Sequence, residues 1–223
     1  MVIYNTLTRS QLMKIYMIGI NHNDPLGRDN LRNWLQILSN QNSDRPAFVA
    51  IEYDQQHFER IKAQRSDFLI KLQSTFLTIP LNDLIRLTQS LAYEGDTHID
   101  VLPNVKTIWL DEDRQAYETD IKNYAERRLG IYKSFLKHCK ELTLIELSKI
   151  SWQVANPDSN PNRCEMFARR VIKEALNKIG HWAIIIVGAN HVSSAPTSMR
   201  SILEVAGFNC EVIVLNRILN STH

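Results

Sequence analysis

Two phrases with the same pattern lie near opposite ends of the chain. The segment KIYMIGINH ends on His22 and the segment AIIIVGANH ends on His191, and in each an apolar run leads to Gly, two further residues and His. Two other apolar runs lead to Glu52 and to Asp111. Two imidazoles with one or two carboxylates suit a divalent cation such as Mn, Co or Zn, with positions left open for water. Such a cation lowers the pKa of bound water from ~15.7 to about 7, so these residues would form a hydrolytic centre if the fold brought them together.

The apolar runs have the composition of buried β-strands. A strand over 14–20, a helix over 30–40 and a strand over 46–54 form a βαβ unit, which implies parallel strands. The remaining predicted strands are 105–113, 181–190 and 210–216. Because strands alternate with helices, the fold class is predicted to be α/β, with a mostly parallel central sheet flanked by helices.

The predicted strands direct the candidate side chains to one place. In an open parallel sheet, ligands bind beyond the carboxyl ends of the strands. Because His22, Glu52, Asp111 and His191 each follow a strand end, we expect all four at one edge of the sheet. Glycine before each histidine lets the backbone turn sharply and approach a neighbour closely, since it has no Cβ.

The region between the second and fourth strands is mostly helical. Apolar residues three and four apart predict helices there, and we assign one domain over 1–223 with a helical insertion at approximately 66–103 and 113–180. Gly130 is expected to weaken or kink the long helix after the third strand, at a cost of about 1 kcal/mol. Gly180 is predicted to cap the helix before the fourth strand. The stretch YEGDTHID is interpreted as a solvated loop.

The composition is that of an ordinary globular protein. Hydrophobic residues make up 44% and charged residues 22% of the 223 residues, and the net charge of +2 is spread along the chain, which argues against nucleic-acid binding. Cys139, Cys164 and Cys210 contain no Cys-x-x-Cys pair, which favours a reducing compartment. No apolar run approaches the roughly 20 residues that cross a bilayer, and the first residues lack the apolar core of a signal peptide. We therefore expect a cytoplasmic protein, compatible with a homo-oligomer, that acts on a peptide or small molecule.

Each candidate residue also has a structural alternative. A lone His after a strand is most often a loop residue, whereas two in matched contexts are equally compatible with a shared site and with two loop residues. Glu52 is equally compatible with an ion pair to a nearby Arg, and Asp111 with the N-cap of the following helix. Surface or structural roles are predicted for the remaining histidines, which show no organised spacing. They are His57, His98, His138, His181 and His223.

The same phrases resemble a known family. IGINH, VAIEYD, IIIVGANH and NRCEMFARRVIKEAL are similar, in order, to motifs of the TraB/PrgY and TIKI group, which more distantly resembles erythromycin esterases and ChaN-like proteins. TIWLDEDR resembles a further segment of that group. The resemblance implies an α/β fold and metal-dependent peptide hydrolysis. It also implies that His22, Glu52 and His191 are metal ligands and catalytic residues, that Arg163 is a catalytic residue positioning the substrate or the carboxylate, and that Asp111 is a weaker ligand.

Three functions are compatible with these residues. The first is a metal-dependent hydrolase, in which His22, Glu52 and His191 hold the cation and Arg163 stabilises developing negative charge. The second is a protein without turnover that binds a peptide, haem or a small ligand at the same edge of the sheet. The third is a metal-free hydrolase, resembling erythromycin esterases, in which one histidine is the general base.

Overall fold

Each strand of the described chain is separated from the next by one or more helices. The computed structural model describes residues 13–111, 123–137, 143–154, 161–176, 178 and 181–215. The strands are β1 (Lys14–Ile20), β2 (Val49–Ile51), β3 (Thr107–Trp109), β4 (Trp182–Gly188) and β5 (Asn209–Val214). The helices are α1 (Gly27–Gln41), α2 (Gln55–Lys62), α3 (Arg65–Thr75), α4 (Leu81–Gln89), α5 (Glu94–Val101), α6 (Tyr124–Leu136), α7 (Leu144–Gln153), α8 (Pro161–Ala175) and α9 (Met199–Val205), and a 3-10 turn covers Ala189–Val192.

The strands form one five-stranded parallel sheet in the order β3-β2-β4-β1-β5. The predicted α/β class with a parallel central sheet is therefore confirmed. Strand β4 lies between β1 and β2, and it pairs with β1 over its whole length, from Lys14 opposite Trp182 to Ile20 opposite Gly188. The two strands that carry the Gly-x-x-His phrases are thus direct neighbours at the centre of the sheet.

Helices cover both faces of this sheet, which explains why β1 and β4 are apolar almost without interruption. On one face, Met17 and Ile185 belong to a buried cluster that includes Phe167 of α8. On the other face, Ile18 and Ile184 pack in a cluster with residues of α1 and α5. Because successive residues of a strand point to opposite faces, each face receives every second side chain.

The helical insertion has an apolar cluster of its own. Phe58, Phe68, Leu87 and Tyr132, from four different helices, belong to this cluster. The insertion begins earlier than the predicted boundary at residue 66, because α2 starts directly after β2. In α2 only two side chains are buried, so the apolar signal in the sequence is weak, and the helix start is fixed instead by the Asp54 side chain, which accepts a hydrogen bond from the N–H of His57 at 2.8 Å.

The interpretation of YEGDTHID as a solvated loop is wrong. These residues form the end of the α4–α5 connection and α5 itself, and Glu94, Gly95, Thr97 and His98 are buried. A Cβ on Gly95 would lie 2.2 Å from the ring of Phe58, so the helix packs directly on α2. Burial lowers the pKa of His98, whose Nε2 lies 2.8 Å from Thr107 Oγ1. Polar composition misled the sequence interpretation because this helix buries small and polar side chains rather than apolar ones.

Two further predictions concern the glycines Gly130 and Gly180. Helix α6 continues through Gly130 without a break. The predicted cap at Gly180 and the residues His138, Cys139 and His223 lie outside the described residues.

Among the helices that the structure describes, none is both long and apolar enough to cross a membrane.

Candidate functional site

The structure brings His22, Glu52 and His191 together at the carboxyl edge of the central strands. Glu52 directly follows β2, His22 lies two residues beyond β1, and His191 lies in the 3-10 turn after β4. Since β4 stands between β1 and β2, its end is flanked by both of the others. Asp111 follows β3 at the same edge.

The carboxylate of Glu52 is the centre of this cluster. Its Oε2 lies 3.3 Å from His22 Nε2 and accepts a 2.6 Å hydrogen bond from the N–H of Gly188. Its Oε1 lies 3.6 Å from His191 Nε2 and 2.9 Å from Arg163 Nη1. Two imidazoles from remote segments therefore contact opposite oxygens of one buried carboxylate.

The outer nitrogen of each imidazole also has a partner. His22 Nδ1 lies 2.7 Å from Oε1 of Glu94, a residue of α5 that is 0% exposed. His191 Nδ1 lies 3.1 Å from Sγ of the buried Cys164 in α8. Since the ring orientation of a histidine is fixed when both nitrogens are bonded, Glu94 and Cys164 hold the two Nε2 atoms towards Glu52.

Arg163 forms ion pairs with the carboxylates of both Glu52 and Asp111. Its Nη2 donates to Asp111 Oδ2 at 2.7 Å while its Nη1 donates to Glu52 Oε1 at 2.9 Å. Asp111 is buried and belongs to this ion-pair network. Glu52 therefore has the ion pair with an Arg that is its structural alternative, and Asp111 contacts the site through Arg163.

The two glycines of the repeated phrases, Gly19 and Gly188, lie in different surroundings. The phrases are offset by one residue in the β1–β4 pairing, where Gly19 faces Val187 and Gly188 faces Ile20. Side chains at these two positions would therefore point to opposite faces of the sheet. A Cβ on Gly19 would lie 2.6 Å from Val192 Cγ2 and 3.1 Å from the backbone of Ala189, so this glycine accommodates the turn that carries His191.

Gly188 instead faces the site. A Cβ there would lie 3.2 Å from Glu52 Oε2, 3.4 Å from His22 Nε2 and 3.7 Å from His191 Cδ2. Its φ of −52° is open to any residue. The close approach expected of this glycine is therefore present, whereas the unusual turn is not needed.

Replacement of Gly188 by Ala should reduce function without unfolding the protein. The added methyl would crowd all three site residues, and we expect hydrolysis or metal binding to fall by about 10- to 100-fold because small displacements of reacting groups are costly. Gly130→Ala is a matched control, since a Cβ there meets nothing within 4 Å. A fall in melting temperature that accounted for the lost activity of Gly188→Ala would contradict this prediction.

The charges within the cluster shift one another's titration. Burial alone would lower the pKa of His22, but the carboxylates of Glu52 and Glu94 raise it well above 6.5. Burial likewise opposes the charge of His191, yet Cys164 and Glu52 raise its pKa to about 9. Burial would raise the pKa of Glu52, and the two histidines bring it well below 4.5. At neutral pH without metal, both imidazoles are therefore protonated, and a metal ion would have to displace their protons.

The residues fit a divalent cation by donor type and spacing. Two ligands of a tetrahedral ion, each about 2.1 Å from it, lie about 3.4 Å apart, close to the 3.3 and 3.6 Å between Glu52 and the two histidines. The outer partner of His22, the carboxylate of Glu94, is also of a kind found beside metal-bound histidines. In the part of the chain that the structure describes, no three His, Cys, Asp or Glu side chains already form a metal-binding group. The Glu52 oxygens here bond instead to Arg163 and Gly188.

Sequence reasoning missed Glu94 and the role of Cys164. Glu94 lies in a segment interpreted as a loop, 72 residues from His22, and the spacing of Cys164 from the other cysteines indicates only a reducing compartment. The only local signal for Cys164 is its position beside Arg163 at the start of a helix. For Glu94 the signal is weaker: a carboxylate next to Gly95, whose missing Cβ allows α5 to pack closely.

Replacement of Glu94 by Gln should slow hydrolysis by about 10- to 100-fold, the usual cost of losing an outer partner of a ligand histidine. It removes one of the two charges that raise the pKa of His22. The pKa of His22 should therefore fall, and the acidic limb of the pH–rate profile should move to lower pH. An NMR titration of the histidines and the pH–rate profile measure both effects. An unchanged pKa would show that Glu94 does not act on His22.

Comparison of the chain with protein-family models, with curated proteins and with solved structures finds no match. The resemblance of its motifs to the TraB/PrgY and TIKI group therefore stays a prediction. The function has to be inferred from the geometry of the His22–Glu52–His191 site.

Proposed function

We propose that this chain is a hydrolase that cleaves a peptide or another acyl bond with a water activated at the His22–Glu52–His191 centre. One observation carries the proposal: imidazoles from opposite ends of the chain contact the two oxygens of one buried carboxylate, at 3.3 and 3.6 Å. Neutralising Glu52 for stability alone would require only Arg163, which is already 2.9 Å away. The position beyond the carboxyl ends of parallel strands is also where such folds bind ligands.

The donor set supports a divalent cation, with Mn, Co and Zn as the candidates. Nε2 of His22, Nε2 of His191 and the carboxylate of Glu52 would hold it. When bound, the cation lowers the pKa of a coordinated water to about 7, so that hydroxide is available at neutral pH. Asp111 is the weaker candidate because its Oδ2 already pairs with Arg163 at 2.7 Å.

The protein's own groups orient the centre and define its open side. Glu94 and Cys164 fix the two imidazoles, while Arg163 and the Gly188 N–H fix the carboxylate. The side chain of His22 is 28% exposed and that of His191 only 6%. Substrate therefore approaches from the His22 side.

The resemblance to the TraB/PrgY and TIKI group supports the same function. In the TIKI branch, the corresponding motifs are associated with metal-dependent peptide hydrolysis. The matching residues here are His22, Glu52, His191 and Arg163, and all four belong to one connected cluster of contacts. Peptides are therefore the first substrates to test.

A metal-free hydrolase is the second candidate, favoured by the bonds that Glu52 already makes. The Arg163 guanidinium supplies positive charge to one oxygen of Glu52, and the Gly188 N–H donates a hydrogen bond to the other, so no metal ion is needed to stabilise the carboxylate. In this version His22 acts at pH values above its raised pKa, where the ring is neutral, and its Nε2 takes a proton from water as the water oxygen bonds to the acyl carbon. The same nitrogen returns the proton to the leaving group as the acyl bond breaks, and Glu52 stabilises the imidazolium between the two steps.

Metal removal and restoration separate these versions. Protein purified without chelator is analysed for bound metal and assayed by mass spectrometry against N-acetylated peptides and simple acyl esters. We expect cleavage that is lost in EDTA and restored by Mn, Co or Zn. Cleavage that survives EDTA supports the metal-free version. No cleavage of any substrate with any of these metals contradicts the hydrolase itself.

A further inference from the structure

A buried arginine lies behind the proposed reaction centre. Arg128 of α6 is 2% exposed, and its side chain is among the largest that are fully buried in the described part of the chain. Its Nη2 donates to the hydroxyl of Tyr124 at 2.7 Å, and its Nη1 has no hydrogen-bond partner. The guanidinium carbon lies 5.4 Å from the ring centre of Tyr124 and 6.0 Å from that of Tyr132.

This guanidinium has no carboxylate at ion-pair distance among the described residues. Burial raises the pKa of Asp24 and Arg128 only opposes this rise, while the oxygens of Asp24 accept hydrogen bonds from the N–H of Leu26 at 2.9 Å and from Trp152 Nε1 at 3.0 Å. Burying a charge without a hydrogen-bonded counter-ion is costly. An unpartnered donor on such a group therefore calls for an occupant that carries negative charge.

Arg128 is connected to the reaction centre by two phenols. The hydroxyl of Tyr124 lies 3.5 Å from that of Tyr53, which lies 3.4 Å from His22 Nδ1. Together with the bond from Arg128 to Tyr124, these contacts span at most about 10 Å. Tyr53 and Tyr124 are partly exposed whereas Arg128 is buried, so a ligand would reach Nη1 of Arg128 past these two phenols.

We infer that Arg128 binds a carboxylate of the substrate, close to the scissile bond. The inference rests on the proposed hydrolase function and names its substrate class: an acylated peptide or amino acid that is cleaved near a free carboxylate. Because an extended chain covers about 3.5 Å per residue, that carboxylate lies no more than about three residues from the bond that breaks. A guanidinium suits this group because its planar N–H donors match the two oxygens of a carboxylate.

The local charges favour a single negative charge over a phosphate. The phenol of Tyr93 senses Glu94, Asp24 and Arg128 together, since all three shift its pKa, which burial raises well above 10. One guanidinium among two acidic residues can accept a monoanion at less electrostatic cost than a dianion. A phosphate site would need further basic side chains or several backbone N–H groups.

Peptides that differ only at the carboxyl group provide the test. N-acetyl tripeptides with a free terminal carboxylate are compared with the same peptides as terminal amides, and with amides that carry one Asp or Glu side chain. We expect wild-type protein to prefer one of the carboxylate forms by about 10- to 100-fold in kcat/KM. Preference for the free terminus assigns the terminal carboxylate, and preference for the acidic amides assigns a side-chain carboxylate. Equal rates for all three sets overturn the inference and leave the hydrolase intact.

Variants assign the preference to Arg128. In Arg128→Met the preference should disappear, and in Arg128→Lys it should shrink, while Arg127→Met, an exposed neighbour on α6, should retain it. A full preference in a folded Arg128→Met protein overturns the inference. If Arg128→Met does not fold, the comparison of peptides on wild type and on Arg128→Lys still decides.

A binding measurement separates this inference from the proposed function. If no peptide is cleaved, ligand-observed NMR on wild-type protein compares the acetylated tripeptide carboxylate with its amide. Tighter binding of the carboxylate that is lost in Arg128→Lys supports the inference although the hydrolase has failed. Equal or undetectable binding of both overturns it.

Discussion

Replacement of Glu52 by Gln is expected to reduce hydrolysis by about 1,000-fold or more. Glu52 contacts both imidazoles, Arg163 and the Gly188 N–H, so every group of the centre is oriented by its carboxylate. Gln keeps the shape of the side chain but has no negative charge. It would therefore no longer bind a cation or stabilise an imidazolium as the carboxylate does. The measurement is kcat/KM on a peptide that the wild type cleaves.

Two further measurements make the Glu52 result specific. The pKa of His22 and of His191 should fall in Glu52→Gln, because Glu52 raises both. The neutral side chain leaves Arg163 with Asp111 as its acidic partner, so some loss of stability is expected and thermal unfolding must be followed. Glu59→Gln, an exposed carboxylate on α2, is the control and should retain full activity. Activity within tenfold of wild type in a folded Glu52→Gln protein would contradict the proposed site.

Replacement of His22 by Ala and of His191 by Ala should each cost about 100- to 10,000-fold, and the double variant should be little worse than either single one. Groups that act as one unit lose most of their function when any member is removed, so the losses do not add. Both imidazoles contact the same carboxylate, at 3.3 and 3.6 Å, which is the physical reason to expect this behaviour. Bound metal per protein should fall in parallel with activity.

The control for the histidine pair is His181→Ala, an exposed residue just before β4. It should leave both hydrolysis and metal content unchanged. Losses that multiply in the His22→Ala, His191→Ala double variant would show two independent sites. In that case the shared contact with Glu52 would be structural.

Metal binding at the same centre is expected to depend on pH. The raised pKa of both histidines means that protons compete with a metal ion for Nε2, so metal affinity should weaken as pH falls below about 9. Glu52 stays ionised across this range because its pKa is well below 4.5. The carboxylate that contacts both imidazoles therefore keeps its charge while the histidines gain or lose theirs.

The sequence by itself determined the strands, the parallel sheet and the edge at which the site lies. Apolar runs of strand length with intervening helical periodicity are local signals, and parallel strands necessarily end at one edge. His22, Glu52 and His191 could be selected in this way because each follows its own strand directly. Their meeting required only that β1, β2 and β4 be near neighbours in the sheet.

The tertiary structure decided which side chains surround those residues. Glu94 reaches His22 from a helix 72 residues away, and Arg128 lies near the same centre on another helix of the insertion. The one-residue offset between the two glycine phrases is likewise a property of strand pairing. None of these contacts has a local pattern, because they depend on how helices of the insertion pack on the sheet, and that packing is set by the shapes of side chains far apart in sequence.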